Sequence, residues 1–74
     1  MLDNIYMLTD IEICDRIGVK IKTVRLKQNM SQEELADKSG VSISTIKRME
    51  EGEVKTLESL IRILRTLGML DIFI

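Results

Sequence analysis

Four times in 74 residues a serine or threonine stands just ahead of a run whose apolar residues recur at helical spacing. Thr9, Ser31, Ser42 and Thr56 are each placed to accept backbone N–H groups that the first turn of a helix leaves without partners. In Thr9-Asp10-Ile11-Glu12 and Ser31-Gln32-Glu33-Glu34 a glutamate follows three positions later and completes a capping box. Helix starts this frequent, with no long strand-like alternation between them, predict an all-α chain folded as a compact bundle of four or five short helices.

The first helix is expected over roughly residues 10 to 28. Ile13, Ile17, Ile21, Val24 and Gln28 form one stripe, and Arg16, Lys20, Lys22 and Lys27 lie off it. Gly18 weakens or kinks this helix, or else marks the meeting of two shorter ones. After Ser31 a second, short helix turns Leu35 and Ala36 inward and closes at Gly40, where the backbone adopts a left-handed conformation. Ser42 caps a third helix, Ile43 to Glu51, with Ile46 and Met49 inward and Gly52 as its stop. Thr56 caps a fourth, with Leu57, Leu60, Ile61, Leu64 and Leu67 as its stripe and Gly68 at its end. The apolar tail, residues 69 to 74, suits a short helix or a strand.

This length has room for one domain, residues 1 to 74, with residues 1 to 9 as an N-terminal extension. Hydrophobic residues are 45% but aromatics only 3%, so the core must come from Ile, Leu, Val and Met. With no histidine and one cysteine, Cys14, a histidine base, a Cys/His zinc site and an internal disulfide cannot be built. The carboxylates scatter over helical faces with no glycine-rich phosphate cradle, so neither an enzyme, a cofactor nor a metal is expected. No apolar run approaches the ~20 residues of a membrane span. Asp3 stands where a secretory leader would be positive, and Cys14 suits a reducing compartment, so a cytoplasmic location is expected.

Net charge is −1, which taken alone argues against a polyanion as partner. The distribution argues otherwise. Residues 1 to 15 hold four acids and no base, whereas residues 16 to 48 hold eight bases against three acids. Five of these eight bases lie on the first helix and three on the second and third helices. The length of the latter two helices, their glycine-containing turn and the small Ala36 at the crossing match a helix-turn-helix. Ser42, Ser44, Thr45, Lys47 and Arg48 face outward with Ile43 as the one exposed apolar residue, and no acid lies between Val41 and Met49. Such a face suits a major groove: cations reach guanine or phosphate, hydroxyls reach phosphate or bases, and an aliphatic group touches a thymine methyl. The same helices could also form a purely structural hairpin.

The runs Ile21-Lys22-Thr23-Val24-Arg25, Met30-Ser31-Gln32-Glu33-Glu34-Leu35-Ala36, Ser39-Gly40-Val41-Ser42-Ile43-Ser44-Thr45-Ile46 and Met49-Glu50-Glu51-Gly52 together resemble the lambda-repressor-like, or XRE-type, helix-turn-helix domain. The resemblance covers about residues 17 to 68. It implies a DNA-binding transcription regulator, with Gln32 on the DNA backbone and sometimes also on the recognition helix. It also implies base reading by Ile43, Ser44, Thr45 and Arg48 with Lys47 alongside, and an ion pair of Arg25 with Glu50. Where several members carry glutamine, this chain has Ile43. Arg25 bound to phosphate is the other reading of that residue.

One recognition helix makes few contacts, and specificity usually draws on two half-sites about one helical turn, ~34 Å, apart. A homodimeric repressor on double-stranded DNA is therefore expected, joined through the fourth helix and the apolar tail, unless the tail packs back on its own core. Residues Leu57 to Ile74 are also similar to the antitoxins of HipA-type kinase modules. That resemblance implies a toxin protein as partner and an antitoxin that represses its own operon.

Overall fold

A computed structural model of the chain describes residues 4–73, so Asp3 and Ile74 of the expectations above lie outside the described residues. Four helices run in order, α1 (Asp10–Lys27), α2 (Gln32–Ser39), α3 (Ile43–Glu50) and α4 (Leu57–Leu67). Short 3-10 turns precede and follow them at Ile5–Met7 and Leu70–Phe73, and among the described residues there is no strand. The architecture is the small all-helical bundle that the caps and stripes predict.

All four caps form. Thr9, Ser31, Ser42 and Thr56 accept the backbone N–H groups of Glu12, Glu34, Thr45 and Ser59 at 3.2, 3.0, 3.2 and 3.2 Å. Both capping boxes are closed by their glutamates, with Thr9 N–H donating to Glu12 at 2.9 Å and Ser31 N–H to Glu34 at 3.1 Å. The Thr9 backbone N–H, and then its hydroxyl, hold the Glu12 carboxyl below the ordinary glutamate range.

Ile21, Leu35, Ile46, Met49 and Ile63 are the largest fully buried side chains, one or two from each helix, and the core lies where the four helices meet. α1 is one unbroken helix through Gly18, not two. Its first turns overhang this core, which leaves Ile11 and Ile13 exposed although the stripe passes through Ile13. At its other end Gln28, the polar member of the stripe, donates to the carbonyl of Leu67 at 2.9 Å and satisfies the end of α4.

Two expectations about these helices need correction. The inward face of α4 is Ile63, Leu64 and Leu67, with Leu60 and Ile61 half-buried. Leu57 is 70% exposed. The spacing of apolar residues is compatible with two overlapping faces, and Leu57 belongs to the one whose first turn projects beyond the core. Helix α3 ends at Glu50, with Glu51 as its cap, one residue earlier than expected. Of the two alternatives left open for the tail, its described residues take the helical one, a single 3-10 turn over Leu70–Phe73 in which Leu70 packs on the core while Ile72 and Phe73 stay exposed.

Candidate nucleic-acid interface

The turn between α2 and α3 depends on Gly40, whose φ of 73° puts the chain in the left-handed region. A Cβ at Gly40 would meet nothing within 4 Å, so glycine is favoured there for backbone conformation and not for space. The turn is closed by the Gly40 and Val41 N–H groups, which donate to the Ala36 carbonyl at 3.0 and 3.3 Å. Val41 then drops into the core and Ser42 starts α3.

Because Ile46 and Met49 are fully buried, the opposite side of α3 must face outward. Ser44, Lys47 and Arg48 are exposed on it. The hydroxyls of Ser42 and Thr45 are 2.8 Å apart and share a hydrogen bond, so part of their capacity is already used at the start of the helix. Thr45 is half-buried. Ile43, expected to stand exposed, is only partly so: it leans on the core beside a shallow hollow lined by Glu33, Ala36, Asp37 and Val41. The absence of acids between Val41 and Met49 is thus offset at the start of α3 by Glu33 and Asp37 of α2, which only the packing brings near.

At the other end of α3 one carboxylate gathers three helices. Arg25 of α1 donates to Glu50 through Nε at 2.6 Å and through Nη2 at 3.1 Å, and its Nη1 donates to the Met30 carbonyl at 2.8 Å. Gln32 of α2 donates from Nε2 to the same Glu50 at 3.1 Å. Gln32 thus meets the recognition helix at its end, through Glu50. The Arg25 and Glu50 side chains retain only 7% and 4% exposure. A two-pronged pair this dry acts mainly on orientation, fixing the end of α3 to α1 and α2.

Sequence reasoning missed two contributors. Gly18 lets the backbone of α1 lie directly against the end of α3: a Cβ there would sit 2.6 Å from the carbonyl oxygens of both Met49 and Glu50. Glu53, beyond the stop at Gly52, returns to Arg48 and lies 3.8 Å from its Nε. No signal in the sequence marks either, since both depend on which distant segments meet.

Among the described residues no cluster of three or more acidic or cysteine side chains could hold a metal ion, and no helix is long and apolar enough to cross a membrane. Compared with known proteins, residues 21–73 match a family model described as helix-turn-helix. No curated protein matches the chain. That match spans α2, the Gly40 turn and α3 together with most of the scaffold that orients them, and the chain belongs to the XRE-type helix-turn-helix family of DNA-binding transcription regulators.

Proposed function

We propose that this chain is a sequence-specific repressor that reads the major groove with α3, two copies acting on the two halves of one operator. The observation that carries this reading is the outward face of Ser44, Lys47 and Arg48 on a helix whose end is clamped by Arg25 and Gln32 through Glu50. A helix held this firmly enters a groove in one orientation, so its contacts can discriminate between bases. Arg48 suits the O6 and N7 acceptors of guanine, Lys47 a phosphate, and Ser44, with the partly covered Ile43 and Thr45, the remaining contacts near the start of the helix. Ser42 and Gln32 border that surface.

The roles of Arg48 and Lys47 separate in a binding assay on the duplex the chain selects from a random pool and on a scrambled one. Arg48→Ala is expected to weaken the selected duplex by ~1–3 kcal/mol and to relax one base position. Lys47→Ala should lower affinity for both duplexes alike and flatten the dependence on salt by about one phosphate. Equal losses on both duplexes for Arg48→Ala would remove it from the base-reading set.

A second copy has a surface to meet. Between α1, α4 and the two 3-10 turns lies an apolar cleft of about 280 Å³, lined in part by Ile5, Ile13, Leu60, Ile72 and Phe73 and by no residue of α2 or α3. Pairing there leaves both reading helices uncovered. Phe73→Asp is expected to shift the chain from dimer to monomer in sedimentation while its melting temperature stays within a few degrees, because Phe73 is 68% exposed. The same exposed Ile72 and Phe73 favour a second reading, an antitoxin whose tail engages a toxin subunit. A wild-type chain that stays monomeric until it meets a kinase-like protein encoded beside it would select that reading.

A further inference from the structure

Glu53 stands outside α3, yet the fold brings it back. Gly52, with φ of 93°, swings the chain round, and the Glu53 N–H donates to the Arg48 carbonyl at 2.9 Å. That bond is between backbone groups, so it anchors position 53 whatever side chain is there. From this anchor the Glu53 carboxylate lies 3.8 Å from Arg48 Nε, with the side chains of Arg48 and Glu53 52% and 60% exposed. The outward cations of α3, in a stretch with no acid of its own, thereby acquire one from the following turn.

At 3.8 Å the pair is an electrostatic contact longer than a hydrogen bond and adds little to stability, so its consequence lies in the negative charge that it sets beside the guanidinium. The guanidinium is planar and offers its donors along distinct edges. A carboxylate on the Nε side leaves Nη1 and Nη2 open, and two parallel N–H donors are what the O6 and N7 of a guanine accept. The same negative charge stands beside any phosphate that would compete for this arginine, and such repulsion is a recognised source of specificity. We propose that Glu53 is a positioning residue for base reading, holding Arg48 toward a guanine edge and away from phosphates, so that it sharpens discrimination and lowers sequence-independent affinity. The proposal rests on α3 being the reading helix.

The test compares full-length variants on the duplex that the wild-type chain selects from a random pool and on a scrambled duplex of equal composition, each at two salt concentrations. Glu53→Gln is expected to bind the scrambled duplex several-fold more tightly and to lose roughly five- to tenfold in the ratio of selected to scrambled affinity. Its binding to the scrambled duplex should depend on salt more steeply by about one phosphate. Glu51→Gln removes the same charge without touching the Arg48 pair, and it should raise both affinities and leave their ratio unchanged. In an Arg48→Ala background, Glu53→Gln should no longer alter the ratio. Melting temperature should be unaffected, since the anchoring bond is made by backbone. Equal gains on both duplexes for Glu53→Gln, or a fall in the ratio that persists without Arg48, would overturn the role of Glu53. If Arg48→Ala itself leaves the ratio intact, Arg48 leaves the base-reading set and the role of Glu53 falls with it; if the wild-type chain selects no duplex from the pool, the reading by α3 itself fails; if only Glu53→Gln leaves the ratio intact, the reading by α3 stands and the role of Glu53 does not.

Discussion

Arg25→Ala is expected to lower the melting temperature by more than ~12 °C, because it strands a buried carboxylate. Glu50 is 4% exposed at its side chain and would keep Gln32 as its remaining side-chain partner, while the Met30 carbonyl would lose the Nη1 donor. Breaking a buried pair from one side costs about 3–5 kcal/mol, and a chain of 74 residues has roughly 4–11 kcal/mol in total. At the lower end of that range much of the population would then be unfolded at physiological temperature. The pair contributes far less than the loss of one partner suggests, since apolar replacements of similar volume often match it. Arg25→Met combined with Glu50→Leu should therefore recover most of the stability while loosening α3 on its scaffold. Arg25→Lys should fall between, because an ammonium cannot reproduce the forked contacts. Thermal melts of the three variants check this, and an unchanged melting temperature for Arg25→Ala would mean that water reaches Glu50.

Gly18→Ala is the next largest. In an exposed helix interior this change would be favourable by about 1 kcal/mol. Here the added Cβ would lie 2.6 Å from two backbone carbonyl oxygens, those of Met49 and Glu50, and 2.9 Å from the Glu50 carbonyl carbon. No side chain can rotate to make room, so α1 and the end of α3 must separate and strain the Arg25–Glu50 contact beside them. Overpacking against well-packed neighbours costs about 1–3 kcal/mol or more, and contact with backbone on two sides puts this case at the upper end. The net loss of ~2 kcal/mol corresponds to a fall of about 8–16 °C in melting temperature. Val19→Ala, one residue along and exposed, serves as the comparison and should move it little. A melting temperature for Gly18→Ala at or above that of the wild type would show the two helices to be farther apart than this crossing requires.

These two residues also differ in how far they could be read beforehand. The Arg25–Glu50 pair followed from the family resemblance, because both residues fall on motif positions. In the sequence Gly18 marks only a weak point or a break in a helix, since the residues it meets, Met49 and Glu50, are more than thirty positions away along the chain. Leu57 and Ile63 show the same limit within one helix. Both are apolar and both fit helical spacing, and only the position of α4 on the other helices exposes the first and buries the second. At the candidate interface Ser44, Lys47 and Arg48 were legible as an outward face once Ile46 and Met49 were assigned inward. The covering of Ile43 and the return of Glu53 to Arg48 were not.

What the sequence by itself determined is where helices begin and which residue types line α3. Thr9, Ser31, Ser42 and Thr56 each bond a backbone group three residues ahead, and an interaction that short forms without help from the rest of the chain. Only the tertiary structure decided how closely α1 approaches α3, which side of α4 is inside and which acid stands beside Arg48. Those outcomes depend on segments brought together across the fold, where packing at close range admits one arrangement among several that the same spacing allows.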